Sequence, residues 1–344
     1  MQISKLLREN IRLLVPYSSA RTEFSGKSEV FLDANENSLD LTGLDVNRYP
    51  DPRSSLLKQK IAEKDGVLSD QIVAGNGSDE IMDNLIRMFC EPGKDSIIIF
   101  PPTYGAYSVF AQINNVKVIS IPLKKDFSLP NPEGLKGKLM FICTPNNPTG
   151  NDYDLSVIEK YASTFNGIVI VDEAYKDFSS LPSAVSLINK YSNVVVLKTF
   201  SKAWALAGAR VGYMVADKEI CDVMNKMKYP YNLSSPAQKA ALISLGKKES
   251  VIKVRDKIIS ERKKLAVQLS ELKSVIKVYP SEANFLLVKV TNADRIYKKL
   301  QKAGIVIRNR SNQLNLSGCL RVTVGTEEEN KKLLNEWEKI DNEE

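Results

Sequence analysis

Lys202 lies in the run from Thr199 to Tyr213, directly after the apolar stretch Val194 to Leu197, with Ser201 before it and Arg210 eight positions on. An amine that follows a buried strand, among hydroxyl side chains and with a guanidinium nearby, is placed to form a Schiff base with an aldehyde held by its phosphate. The alternative is a solvated surface lysine, the usual fate of that residue type.

Two more apolar runs end in residues suited to the same chemistry. After Leu139 to Cys143 comes Thr144-Pro-Asn-Asn147-Pro-Thr-Gly150, and after Gly167 to Val171 comes Asp172-Glu-Ala-Tyr175. Open α/β sheets bind ligands at the carboxyl ends of their strands, so Asn147, Asp172, Tyr175 and Lys202 are delivered to one edge. A carboxylate such as Asp172 keeps a pyridine nitrogen protonated, and Asn147 and Tyr175 can hydrogen-bond a phenolic oxygen. Each alone is also an ordinary cap or turn residue. The phosphate needs a cradle, and Gly75-Asn-Gly77-Ser78-Asp79-Glu80 opens a helical stretch with small residues whose amides can approach an anion. Thr199, Ser201 and Arg210 add hydroxyl and guanidinium donors. Tyr104, after the strand ending at Phe100, offers a ring to stack on a pyridine or simply packs against the sheet. The cofactor that uses all of these groups is pyridoxal phosphate. A dinucleotide fingerprint would put a third glycine where Glu80 stands, which disfavours a nicotinamide enzyme.

The elements that must hold these residues are short apolar runs bounded by turns: Ser96 to Phe100, Leu139 to Cys143, Gly167 to Val171, Val194 to Leu197 and Val211 to Val215. Runs apolar on successive residues suit a sheet covered on both faces, with helices such as Asp79 to Cys90 as the cover. The reading is an α/β domain with a mostly parallel sheet over residues 41–235. Residues 236–344 read as a smaller α+β domain. It begins with a long amphipathic helix from Ser250 to Leu272 and continues with strands at Ala283 to Val288, Gly304 to Arg308 and Leu320 to Val324. Thr326 followed by Glu329 is a capping box that starts the last helix. The N-terminal segment, residues 1–40, is expected to join the smaller domain.

Composition excludes several classes. The 344 residues include no histidine, which removes serine-histidine triads, histidine metal sites and imidazole acid–base catalysis. The net charge of +7 comes from Lys and Arg interleaved with Asp and Glu, a solvated pattern and not a nucleic-acid patch. Cys90, Cys143, Cys221 and Cys319 are far apart and mostly within apolar runs, as reduced core thiols are, and no metal site is expected. Met1 to Arg21 lacks an apolar signal core, and no run is long enough to span a membrane, so a cytoplasmic protein is expected.

Tyr17 in Pro16 to Arg21, Asn35-Glu-Asn37, Arg48-Tyr-Pro50, Gly75 to Glu80, Pro102-Thr-Tyr104, Asn146 to Gly150, Asp172 to Tyr175, Ser201-Lys202 to Arg210, and Gly318-Cys-Leu-Arg321 to Gly325 follow one another along nearly the whole chain. In that order they resemble the fold-type I pyridoxal-phosphate-dependent aminotransferases, and among them the histidinol-phosphate aminotransferase family. The Lys and Asp-x-x-Tyr elements are shared widely in the fold type, whereas the start, the Asn-Glu-Asn and the Gly-Cys-Leu-Arg segment favour that branch.

The resemblance implies a seven-stranded-type sheet sandwiched by helices, with Lys202 as covalent anchor and proton carrier. Asp172 would pair with the pyridinium, Asn147 and Tyr175 with the phenolate, and Tyr104 would stack; Gly77, Ser78, Asp79, Thr199, Ser201 and Arg210 would surround the phosphate. Tyr49 is similar to the tyrosine that relatives send to the neighbouring subunit's cofactor, which implies a homodimer. Arg321 matches the arginine that holds the substrate's anionic end, with Arg308, Tyr17 and Asn35 near it. The implied reaction moves an amino group between L-histidinol phosphate and 2-oxoglutarate in histidine biosynthesis. Alternatives of the same fold are an aromatic amino-acid aminotransferase and an amino-acid-phosphate decarboxylase. A cofactor-binding transcriptional regulator is a further alternative, although such regulators carry a separate DNA-binding module.

Overall fold

The computed structural model describes residues 2–17 and 30–343, so the Ser18 to Arg21 part of the first motif lies outside the described residues. Seven strands form the larger sheet: β1 (Ile72–Asn76), β2 (Ser96–Ile99), β3 (Lys117–Ser120), β4 (Leu139–Cys143), β5 (Ile168–Asp172), β6 (Val194–Thr199) and β7 (Val211–Ala216). Their order is β1-β7-β6-β5-β4-β2-β3. Only β7 runs against its neighbours, pairing antiparallel with both β1 and β6.

The sheet is covered on both faces because its central strands carry apolar side chains on successive residues and not on alternate ones. All residues of β4, β5 and β7 are buried. Alternate side chains then enter opposite cores, as the two-residue period of a strand requires: Val169 and Val171 join one cluster, Ile168 and Ile170 the other. The first is closed by α2 (Ser55–Asp65) and α5 (Leu155–Thr164), the second by α3 (Gly77–Phe89), α4 (Ala106–Ile113) and α6 (Lys218–Met227).

A second, antiparallel sheet has the order β10-β11-β9-β8, from β8 (Val275–Val278), β9 (Phe285–Val290), β10 (Arg308–Asn309) and β11 (Cys319–Thr323). The chain reaches it through α7 (Ser235–Gly246) and α8 (Lys248–Ser270), and α8 packs into its core with α9 (Ala293–Lys302) and α10 (Glu327–Asn342). Thr326 caps α10: its Oγ1 accepts the Glu329 amide at 3.2 Å while its own amide donates to Glu329 Oε2 at 2.8 Å. Trp337 on α10 is fully buried and donates its indole N–H to Ser274 Oγ at 3.0 Å.

Two expectations are corrected here. Residues 304–307 do not form a strand; pairing with β11 is confined to Arg308 and Asn309. Val306 is 79% exposed, so the apolar run crosses the surface, with Ile307 in the core and Ile305 packed partly against it. The N-terminal stretch does not complete the smaller domain over its first dozen residues. Ile3 packs among Met82, Leu85 and Met224 of the larger one. The Arg8 amide donates to Met88 O at 3.2 Å and its Nε to Glu91 Oε2 at 3.2 Å. The reason is apolar cover: the short helix α1 (Glu9–Arg12) lies over α6.

Candidate active site

The register of the central strands sets the site. Cys143 pairs with Asp172 and Asp172 with Leu197, so β4, β5 and β6 end side by side and their exit loops share one edge. Those loops, with the start of α3, enclose a cavity of about 170 Å³. Its walls include Ser78, Asp79, Tyr104, Asn147, Asp172, Tyr175, Thr199, Ser201, Lys202 and Arg210.

Asp172 lies on the floor, 3% exposed. Its Oδ1 accepts the Ala174 amide at 3.1 Å and its Oδ2 accepts the Tyr107 hydroxyl at 2.5 Å. Burial pushes its carboxyl up to about 6, against the pull of the Tyr107 and Ala174 hydrogen bonds. Lys202 sits at the mouth, open to solvent through the cleft, with Nζ 5.5 Å from the Tyr175 ring centroid. Partial burial lowers its pKa, and the positive charge of Arg321 lowers it further. An amine so placed is more readily neutral, the state in which it is a nucleophile and a base.

Tyr175 is buried, with its ring edge-on to Phe285 of β9 at 5.1 Å and 88°. Asn147 Nδ2 approaches the Tyr175 hydroxyl at 3.4 Å. Arg321 comes from β11: Nη1 donates to Asn147 Oδ1, and the guanidinium lies 5.2 Å from the Phe285 ring centroid. The Arg321 Nε is buried and has no partner among the described residues. The smaller domain therefore sets a cation against Asn147, at the wall of a pocket built by the larger one.

The opposite end suits an anion. Backbone comes close where only glycine allows it. Gly77 has φ +76°, and a Cβ there would lie 2.6 Å from Arg210 Nη2; a Cβ on Gly212 would lie 2.3 Å from the Ser78 amide nitrogen. The first amides of α3 thus face Arg210 and the Thr199–Ser201 turn, where the helix dipole favours negative charge. Arg210 has a left-handed backbone, φ +53°, and its Nη2 meets Asp79 Oδ2 at 3.2 Å. Tyr104 donates its hydroxyl to Asp79 Oδ1 at 3.4 Å, and burial pushes its pKa up to about 12, so it stays neutral. Glu80, where a dinucleotide fingerprint has glycine, accepts the Asn76 amide and Asn232 Nδ2. A buried carboxylate, an accessible amine, two hydrogen-bonding groups beside a ring-sized space and a glycine-lined anion cradle fit pyridoxal phosphate.

Not every expected residue is here. Arg308 is exposed on β10, directly paired with Arg321. Asn35 and Tyr49 line a separate surface groove; Tyr49 stacks on Tyr231 at 4.3 Å and 16°, and its amide donates to Glu36 Oε1 at 2.6 Å. Tyr17, 77% exposed, borders a third groove with Arg53 and Lys218. Two residues near the site gave no sequence signal. Tyr107 is one of several apolar-face residues of α4, and Arg310 follows β10 with its Nε buried and unpartnered among the described residues.

Comparisons with known proteins agree with this geometry. Residues 21–336 match the family model described as aminotransferase class I and II. The chain is 45% identical over 348 residues to a histidinol-phosphate aminotransferase of Christiangramia forsetii, covering 99% of both chains. It is 46% identical over 338 residues to that of Parabacteroides distasonis, covering 97% of each. Among solved structures, the histidinol-phosphate aminotransferase of Clostridium acetobutylicum superposes with a TM-score of 0.80 at 26% identity, over 87% of this chain and 92% of that one. The enzyme of Sinorhizobium meliloti, solved with pyridoxal-5'-phosphate, gives 0.79 at 24% identity, over 87% and 84%, a likeness of fold. The chain belongs to the aminotransferase class I and II family and, within it, to the histidinol-phosphate aminotransferases.

Proposed function

We infer that the protein transfers the amino group of L-histidinol phosphate to 2-oxoglutarate, giving imidazole acetol phosphate and glutamate, with pyridoxal phosphate as cofactor. The observation that carries this reading is the convergence of Lys202, Asp172, Tyr175 and Asn147 on one pocket, with Arg321 of the other domain bonded to Asn147 at its wall. The full-length identity to histidinol-phosphate aminotransferases supports it. When bound, pyridoxal phosphate supplies a ring that draws electrons from the substrate's α-carbon.

The chain's own groups do the rest. Lys202 Nζ anchors the cofactor and carries the proton taken from the α-carbon, and the chain has no histidine to share that task. Asp172 holds the proton on the ring nitrogen, while Tyr175 and Asn147 hydrogen-bond the ring oxygen. The amides of Ser78 and Asp79, the hydroxyls of Thr199 and Ser201, and Arg210 bind the cofactor phosphate, and Tyr104 stacks on the ring. Arg321 binds the substrate's phosphate in one half-reaction and a carboxylate of 2-oxoglutarate in the other, a planar fork that suits both. Arg308, adjacent on β10, adds positive charge.

Tyr49, Asn35 and Tyr17 serve the site in a homodimer. Tyr49 reaches the partner's cofactor phosphate, and the surface around it supports this: Leu32, Leu41 and Leu44 are 85%, 84% and 68% exposed in one chain. Four free, buried cysteines support a cytoplasmic location. No helix among the described residues is long and apolar enough to cross a membrane.

Single-turnover assays with histidinol phosphate, phenylalanine and a phosphorylated amino acid test the reading. Keto product from histidinol phosphate at the highest kcat/KM is expected. Preference for phenylalanine, or release of carbon dioxide, would replace it with one of the alternatives.

A further inference from the structure

The carboxylate on the pocket floor is gripped by a side chain that no motif points to. Tyr107 is fully buried, its ring stacked on Phe141 of β4 at 4.7 Å and 21° and edge-on to Tyr104 at 5.4 Å and 87°. Its hydroxyl donates to Asp172 Oδ2 at 2.5 Å, and the Cys143 thiol lies within hydrogen-bonding reach of it. The Ala174 amide holds the other oxygen at 3.1 Å. The two donors, from α4 and from the turn after β5, fix the plane of the carboxylate. We propose that Tyr107 is the positioning residue of this site: it orients Asp172 toward the ring nitrogen of the cofactor and keeps the carboxylate charged. This rests on the reading that pyridoxal phosphate binds in the pocket.

The electrostatics agree. Burial favours the neutral acid at Asp172, Asp79 adds repulsion, and the Tyr107 hydrogen bond opposes both ahead of the more distant charge of Lys202. Cys143, Tyr104 and Tyr175 also face the carboxylate, and each is held neutral by burial, with a pKa above its ordinary value. Tyr107 itself is pushed well above the ordinary phenol range, by burial and then by Asp172, so it donates throughout the physiological range. A hydrogen bond to an ionised buried group is among the stronger kinds. In a chain without histidine, a tyrosine supplies a neutral donor that an imidazole could otherwise give. Through its edge contact, the same ring also backs Tyr104, so one residue supports both the carboxylate and the ring-stacking wall.

The test uses untagged, full-length protein stripped of cofactor. Tyr107→Phe keeps the ring and its stacking and removes only the hydroxyl. Its affinity for pyridoxal phosphate at neutral pH is expected to fall about tenfold, the size of one lost hydrogen bond to a charged group. Its affinity for the analogue with carbon in place of the ring nitrogen is expected to stay unchanged. Equal losses with both compounds, or no loss with either, would reduce Tyr107 to a packing residue and overturn the proposal.

Tyr107→His restores a donor and introduces the chain's sole imidazole. Its proton NMR signal is expected to titrate higher than that of the same imidazole in Tyr107→His/Asp172→Asn, because burial is common to both and only the first faces an anionic Asp172, and pyridoxal phosphate affinity is expected to recover relative to Tyr107→Phe. An imidazole whose titration is unmoved by Asp172→Asn would overturn the proposal even if the phenylalanine variant did not fold. Wild-type apoprotein that bound neither compound would overturn the cofactor reading itself, and this proposal with it. A substrate preference other than histidinol phosphate would leave the Tyr107 result standing.

Discussion

The sheet edge and the stretch around Tyr49 were both expected to serve the same chemistry, yet they are built in opposite ways. At the edge, Asp172, Asn147 and Tyr175 are buried by strands and helices of their own chain, and each meets a named partner. Around Tyr49, residues 30–50 contain exposed Leu32, Leu39, Leu41 and Leu44, and the local order comes from Glu36, which accepts Arg48 Nη1 at 2.9 Å and the Tyr49 amide. Groups that need a fixed dielectric and a fixed distance sit where one chain supplies the packing. Groups proposed to complete the site from outside sit on a surface where large apolar side chains are left exposed in one chain.

That contrast can be broken most directly at Lys202. Lys202→Ala is expected to lower multiple-turnover transamination by roughly ten-thousand-fold, the upper range for losing an acid–base group; retained turnover measured by keto-acid formation would remove Lys202 from the mechanism. Arg321→Ala comes next. Losing a half-buried cation proposed to pair with the substrate's anion is expected to cost about a hundredfold in kcat/KM for histidinol phosphate, with thermal unfolding as the control for Asn147, which loses its partner. An unchanged kcat/KM would mean that the anion is held elsewhere.

The pH behaviour of the apoprotein sharpens the first half of the comparison. Asp172 has its pKa raised from 3.8 to about 6 by burial. A carboxyl whose folded pKa lies above its unfolded one stabilises the fold fully only below the unfolded value, and that contribution disappears as pH rises through the folded one. Between pH 4 and 7, wild-type apoprotein should therefore lose on the order of 2 kcal/mol relative to Asp172→Asn. Urea unfolding of both proteins across that range measures the difference, and parallel curves would place Asp172 in a more polar setting.

The smallest single effect is expected on the other side. Tyr49→Phe should weaken cofactor retention by about tenfold or less, as for one hydroxyl hydrogen bond. Mixing decides whether that hydroxyl belongs to the partner's site. In a dimer formed from one Lys202→Ala and one Tyr49→Ala chain, one site carries both defects and the other carries neither. Activity above that of either parent is expected, and its absence would confine Tyr49 to its own subunit.

Legibility followed the same division. Asp172, Asn147 and Lys202 could be read because each follows a run apolar at every position, and such runs become central strands wherever a sheet is covered on both faces. Strands β1, β3 and β8 escaped notice: all three lie at sheet edges, and β3 and β8 are only partly buried, with Lys117, Ser120, Ile276 and Lys277 exposed. The run from Gly304 to Arg308 misled for the converse reason: it is apolar without a strand to pair along its length. Tyr107 was invisible since an aromatic on the apolar face of a helix has the same pattern whether it only packs or also donates to a carboxylate.

By itself the sequence determined which strand ends carry reactive groups, that no imidazole is available and that an anion cradle opens a helix, because these depend on residue type and local period. Tertiary structure decided that β4, β5 and β6 end in register, that Arg321 crosses from the smaller sheet to meet Asn147, and that Tyr107 grips Asp172. The last two depend on contacts between residues 174 and 65 positions apart, which only the docking of the second domain and the packing of a helical core against the sheet can fix.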